Sequence, residues 1–177
     1  MLNWTRKKDK IGGATNSSFL ALILKEKSPI SLDWFRTISL FNTPYKILSK
    51  ILAIRMKSIM SHLIFDSQGG FVVGCQILDN IIIVQESIHS NVERKQQGMA
   101  IKLDMANAFN RVNHFFLFEI MSKFGFSKRF LRWVKACINS TWIALLVNGR
   151  PTKFFQATRG LRQGFPMSPF LYLLVVE

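Results

Sequence analysis

The hydrophobic period of this chain switches repeatedly between that of a strand and that of a helix, and this succession restricts the folds open to it more than any other feature. Short apolar runs suited to strands cover Ser18 to Leu24 (SFLALIL) and Phe35 to Leu40. The charges and Pro29 of the intervening KEKSPISLDW mark a turn, so the two runs form a candidate hairpin with Lys25 and Arg36 near its ends. Pro44 then suits a first helical position, and Ile47, Leu48, Ile51, Leu52, Met56, Ile59, Met60 and Leu63 recur at helical spacing, with Lys46, Lys50 and Lys57 off that stripe. A second amphipathic stretch, from about Ile77 to Val92, follows a connection containing Gly69, Gly70 and Gly74. In MAIKLDM, Met99, Ile101, Leu103 and Met105 alternate with Ala100, Lys102 and Asp104, which predicts a strand of the main sheet with Ile101 and Leu103 buried. Helical patterns return over about 113–124 and 128–139. Ser127 is placed to cap the second, which carries Phe130, Leu131, Val134, Cys137 and Ile138 on one side. Trp142 to Val147 and Thr152 to Ala157 flank Asn148-Gly149, whose tolerance of positive φ predicts a β-hairpin; Arg150-Pro151 is expected to lengthen the connection beyond two residues. Pro169 can open a last helix. Strands, helices, strand, helices, hairpin and helix, without a repeat or a clear linker, define an α+β fold with helices against a mixed or antiparallel sheet.

Nearly half of the 177 residues are apolar, enough for one domain with a core. Residues 1–15 read as an N-terminal remnant expected to be poorly ordered, and 16–177 as the domain. Twenty-four Lys and Arg against ten Asp and Glu give a formal charge of +14, spread along the whole chain. A polyanion is the expected partner, because phosphate backbones reward such a surface through counterion release. A membrane-surface protein would instead gather its cations on one amphipathic helix. No apolar run approaches a span, and Met1 to Lys10 leads into Gly12, Gly13 and polar residues in place of an apolar signal region. The expectation is an intracellular protein with no membrane partner. Cys75 and Cys137, far apart and without a CxxC or His-rich segment, signal neither a disulfide nor a zinc site.

Asp104, at the end of its predicted strand, is followed by small residues in MANAFN that permit close approach of another molecule. Polymerases use carboxylates to hold two metal ions at the transferred phosphate, although aspartate equally caps helices and turns. KLDMANAFNRV, at Lys102 to Val112, resembles the first catalytic motif of LINE-type reverse transcriptases. NSSFLALILK, FRTISL, YKILSKILAIRMK and QGGFVVGCQILDNIIIVQESIHS resemble the blocks that precede it, and NGRPTKFFQATRGLRQGFPMSPFLYLL the block that follows. Plant LINE-type (non-LTR) retrotransposons are the subgroup to which these blocks are most similar.

The resemblance implies the fingers and partial palm of a right-hand RNA-directed DNA polymerase, working with Mg²⁺, deoxynucleoside triphosphates, an RNA template and a DNA primer. It implies Asp104 as the first metal-binding and catalytic aspartate, and Phe109 as the aromatic residue beneath the sugar of the incoming nucleotide, a position that core packing would also explain. Lys25 and Arg36 match the fingers cations that face the triphosphate; Gln163 matches a nucleotide-contacting glutamine, with Gly164 allowing close approach beside it. Arg159 and Arg162 are candidates for template or primer phosphates, with plain surface arginines as the alternative. Several positions depart from the pattern: Leu24 and Thr37 at usual prolines, Cys75 at an arginine, Asn110 and Phe165 at aspartates. The aromatic-x-Asp-Asp segment that carries the remaining catalytic carboxylates is missing before Glu177, so the chain is expected to be a truncated, inactive domain. The alternative is a non-catalytic, basic nucleic-acid-binding remnant.

Overall fold

The computed structural model describes residues 11–13, 15–31, 34–65, 68–71 and 77–177. Cys75, Gly74 and the first ten residues lie outside the described residues. Two strands, β1 (Ser17–Leu24) and β2 (Phe35–Phe41), lead into helices α1 (Thr43–Leu63) and α2 (Ile77–Glu93). A short turn of helix, α3 (Ala108–Arg111), precedes α4 (His114–Lys123) and α5 (Lys128–Asn139). Strands β3 (Trp142–Val147), β4 (Arg150–Pro151) and β5 (Phe155–Gln156) follow, and α6 (Ser168–Val176) closes the order. The fold is α+β, with helices on a mixed sheet.

β1 and β2 form the expected antiparallel hairpin, in register from Ser18 opposite Phe41 to Leu24 opposite Phe35. Because side chains alternate, Ser18, Ser39 and Phe41 are buried on one face, while Phe19, Ile23, Arg36, Ile38 and Leu40 are exposed on the other. β1 also pairs in parallel with β3, from Ser17 opposite Trp142 to Leu20 opposite Leu145, so the helices between them form the crossover.

β3 turns back at Asn148 and Gly149, both at positive φ (50° and 77°), the two-residue geometry whose twist suits a hairpin. The connection is therefore tighter than Arg150-Pro151 suggested, for Arg150 already pairs with Val147 and Pro151 with Leu146. Farther along, Ile143 pairs with Phe155 and Trp142 with Gln156, a register offset by one residue from the first pairs, as a β-bulge requires. Thr152 bridges the step: its N–H donates to Leu145 O at 2.9 Å and its Oγ1 accepts from Leu145 N at 3.0 Å.

α1 begins with Pro44 in its first turn and buries Tyr45, Ser49, Leu52, Ala53, Met56 and Met60. This face is rotated from the most apolar stripe, leaving Ile47 and Ile59 exposed, because Tyr45 is drawn inward by hydrogen-bonding partners described below. Asn113 Oδ1 accepts from Phe115 N (2.8 Å) and Phe116 N (3.3 Å) to start α4, and Ser127 Oγ accepts from Phe130 N (3.3 Å) to start α5. The core packs α1, α4, α5 and α6 around Leu117, Met121, Val134, Met167 and Leu171; Ile11 is buried with them.

Met99 to Met105 departs from expectation. It is neither strand nor helix, and Ile101 and Leu103 are 72% and 87% exposed. Alternation alone does not make a strand; the backbone must find a neighbouring ladder, and among the described residues no strand runs beside this segment. α2 is helical as expected, yet open on its apolar side, with Leu78, Ile81, Ile82, Ile83 and Ile88 exposed.

Candidate nucleotide and nucleic-acid site

Two segments far apart in sequence are clamped together at the centre of the candidate site. Leu161 N donates to Phe109 O at 2.7 Å, Gly160 N donates to Val112 O at 2.8 Å, and the His114 ring nitrogen Nε2 lies 2.8 Å from Gly160 O. The clamp needs glycine at 160. Its φ is +86°, and a Cβ there would lie 2.9 Å from Asn110 O and 3.1 Å from Asn110 Cα. Phe109 is half-buried and packs on Tyr172 with ring centroids 4.8 Å apart, so its core role is present whatever else it does.

The same loop reaches the fingers hairpin. Gln163 O accepts from Ser39 N at 3.1 Å, covering an N–H on the free edge of β2, and Gly164 turns away at φ +90°. A side chain on Gly164 would meet Ser39 O at 3.5 Å. Phe109, Gln163 and Gly164 thus belong to one connected region.

Lys25 and Arg36 lie at the far end of the hairpin, and both are exposed. Lys25 N donates to Trp34 O at 2.8 Å, and Arg36 stands opposite Ile23 on the outer face of the sheet. Arg36 is three residues from Ser39, about 10 Å along the strand. Asp104 is exposed, and among the described residues its carboxylate takes no hydrogen bond or ion pair. Its neighbour Met105 offers Sδ to the Tyr172 hydroxyl at 3.9 Å, which links the segment to Phe109 through Tyr172. Among the described residues no hydrogen bond or ion pair joins Asp104 to Lys25 or Arg36. Arg159 is exposed and remains open to an anion.

Arg162 is placed differently from a phosphate contact. The residue is half-buried, but its guanidinium sits among the rings of Phe41, Tyr45 and Phe165, 4.6, 4.9 and 5.4 Å from their centroids. It donates to Ser18 Oγ (3.3 Å), Asn16 Oδ1 (3.2 Å), Cys137 O (3.3 Å) and the Tyr45 hydroxyl. With its donors turned inward, it cannot serve as an exposed phosphate anchor. Cys137 O also accepts from Asn16 Nδ2 (3.1 Å), Tyr45 OH (3.1 Å) and Thr141 Oγ1 (3.1 Å). This carbonyl belongs to the last turn of α5, where the helix dipole is negative, and that partial charge stands in for a carboxylate beside Arg162.

Burial pulls the Arg162 guanidinium below its ordinary value, opposed by Tyr45 and Cys137. Burial pushes the Tyr45 phenol well above its ordinary value, with Cys137 adding to the rise and Arg162 opposing it. The Cys137 thiol is pushed up to about 12, again mainly by burial. The sequence reading missed Asn16, Tyr45 and Cys137 as partners of Arg162; a tyrosine on a helix's buried face was the available signal, since a buried hydroxyl needs a partner.

The described residues hold no group of three or more His, Cys, Asp or Glu side chains able to cage a metal. Asp104 is a single carboxylate without companions, so these residues by themselves do not fit the Mg²⁺ expected from the resemblance. No helix among the described residues is long and apolar enough to cross a membrane.

A five-stranded sheet with its helices, a glycine-dependent loop joined to the Phe109 segment, and a cationic hairpin form a polymerase-like fingers and palm arrangement. Residues 23–177 match the reverse transcriptase (RNA-dependent DNA polymerase) family, and the chain belongs to it. It is 29% identical over 171 residues to the transposon TX1 uncharacterized 149 kDa protein of Xenopus laevis, covering 97% of this chain and 13% of that protein. It is 28% identical over 144 residues to the retrovirus-related Pol polyprotein from type-2 retrotransposable element R2DM of Drosophila melanogaster, covering 81% of this chain and 13% of the relative. A probable RNA-directed DNA polymerase from transposon X-element, also of Drosophila melanogaster, is 26% identical over 151 residues, or 84% of this chain and 16% of the relative. The chain therefore spans a small part of its retrotransposon relatives and is a reverse transcriptase domain of their kind.

Proposed function

We propose that this chain supplies the nucleotide-facing half of an RNA-directed DNA polymerase of a plant LINE-type element. In this reading Gln163, Gly164 and Phe109 receive the incoming deoxynucleotide, Lys25 and Arg36 face its triphosphate, Arg159 contacts the RNA template or DNA primer, and Asp104 contributes one metal-binding carboxylate. Residues 16–177 act as one domain inside the cell. The observation that carries the reading is the clamp between Gly160-Leu161 and Phe109-Val112, together with the Gln163 bond to β2. That arrangement fixes three segments of separate sequence blocks around one loop.

The chemistry at such a site is in-line displacement on a phosphate. Guanidinium and ammonium groups at Arg36 and Lys25 suit the anionic leaving pyrophosphate, and a divalent metal would supply the electrostatic clamp at the reacting oxygens. Among the described residues Asp104 has no companion carboxylate for that clamp, so nucleotide binding is the property these residues support by themselves. Photocrosslinking with an azido-dATP tests the pocket: label on peptides containing Phe109 or Gln163, displaced by excess dATP, is the expected result. Label spread over the surface and indifferent to dATP would overturn the assignment.

A further inference from the structure

The outer face of α5 is cationic in a way that the nucleotide pocket does not require. Lys128, Arg129, Arg132 and Lys135 are exposed along its 12 residues, and the sequence KRFLRWVKACIN contains no acidic residue. Arg129 lies over the Trp133 ring at 5.1 Å from its centroid, and Arg55 reaches the same ring from α1 at 5.8 Å. Lys135 Nζ sits 5.1 Å from the centre of Phe118 on α4. Among the described residues, Lys128, Arg129, Lys135 and Arg55 form no ion pair.

A merely solvated face would be expected to intersperse both signs and leave its side chains free. Here two guanidinium groups lie within about 6 Å of one indole, which costs both side chains freedom and gathers positive charge at a single ring. An arginine placed against an aromatic ring keeps N–H donors that suit the paired oxygens of a phosphate. Lys128 and Lys135 stand two turns apart on one side of the helix, about 10 Å along its axis, a reach suited to phosphates of one strand. Cys137 in the last turn of α5 meets Asn16 beside the start of β1, whereas Lys25 and Arg36 lie at the other end of that eight-residue strand, roughly 25 Å away.

We infer that the α5 face, with Arg55 of α1 beside it, is a second phosphate-binding surface that tracks an RNA strand outside the nucleotide pocket. This rests on the nucleic-acid side of the proposed function and is independent of the pocket itself. The test is filter binding of a labelled single-stranded RNA to the full chain over a salt series, comparing wild type with K128Q/R129Q/K135Q and with K25Q/R36Q. Loss of three phosphate contacts should lower low-salt affinity by about tenfold or more and flatten the slope of log K against log salt by about 2. K25Q/R36Q should keep the α5 share of the slope, and the azido-dATP label at Phe109 or Gln163 should be unchanged in K128Q/R129Q/K135Q. An unaltered slope in that triple variant, absence of RNA binding by the wild type, or equal displacement of RNA by polyglutamate would overturn the inference. A retained nucleotide label in any of those cases would leave the pocket assignment standing.

Discussion

At the scale of single residues, the clearest departure from surface expectation is Arg162, a cation held by neutral acceptors, three aromatic rings and the negative end of α5. Arg162→Ala would leave Asn16 Oδ1 and the Tyr45 hydroxyl without their donor in a buried space, and each such loss costs about 1–3 kcal/mol. The expected effect is a loss of about 3 kcal/mol or more in urea unfolding, against less than about 0.5 kcal/mol for exposed Arg159→Ala. Ser39 offers the opposite case, because its Oγ is buried with no hydrogen-bond partner among the described residues. Ser39→Ala should therefore be neutral or raise stability by up to about 1 kcal/mol in the same measurement. The thiol of Cys137 gives a pH signature. Its folded value, about 12, lies above the ordinary 9.0, so the unfolded chain releases this proton first as pH rises. Stability is full below pH 9 and falls through the interval up to about 12; Tyr45, also raised, acts in the same direction, while the lowered Arg162 acts oppositely. Cys137→Ala should reduce the alkaline slope of unfolding free energy, and an identical slope in the variant would show that the thiol is not its source.

At the scale of elements, the parts legible in the sequence were those whose signals are local. The β1 and β2 runs, the Pro44 helix, the Ser127 cap and the Asn148-Gly149 turn each satisfy most of their backbone groups within themselves or with an adjacent segment. Met99 to Met105 failed because its alternation specifies only a face, and a strand also needs a partner from elsewhere. The rotation of α1 failed for a related reason: Tyr45 is fixed by Cys137 and Arg162, 92 and 117 residues away, which no helical period records. The candidate site was legible as a set of residues through motif resemblance, yet the Gly160 clamp emerged only from geometry. That clamp supports a further prediction. Gly160→Ala would combine a positive φ with a Cβ driven onto Asn110 backbone, which cannot swing aside, and should cost at least about 2 kcal/mol. Gly149→Ala shares the positive φ but meets nothing within 4 Å, so about 1 kcal/mol is expected. Circular-dichroism melts of the pair would separate strain from collision, and equal losses would remove the clamp as the cause.

At the scale of the whole molecule, two long-range tendencies oppose each other. The formal charge of +14 makes copies of the chain repel, while the outer side of the β1–β2 hairpin, α2 and the 99–105 segment expose apolar side chains that water disfavours. Phe19, Ile38 and Leu40 stand together on the hairpin; Ile81, Ile82, Ile88, Met99, Ile101 and Leu103 extend the apolar exposure elsewhere. Repulsion between exposed charges weakens as salt shortens the screening length, from about 30 Å at 0.01 M to about 10 Å at 0.1 M and 3 Å at 1 M. Apolar attraction is not screened this way, and excluded anions such as sulfate strengthen it. Purified chain in the absence of RNA should therefore sediment as smaller species at low salt and shift to larger ones as salt rises, with sulfate more effective than chloride at equal ionic strength. RNA should act differently: by neutralising the α5 face it should bring copies together at low salt, and added salt should disperse those assemblies by releasing the RNA. Sedimentation velocity with and without RNA distinguishes the two modes, since salt drives association in one and reverses it in the other. If RNA-free chain instead became smaller as salt increased, its self-association would be electrostatic, and the exposed apolar surfaces would not be the adhesive.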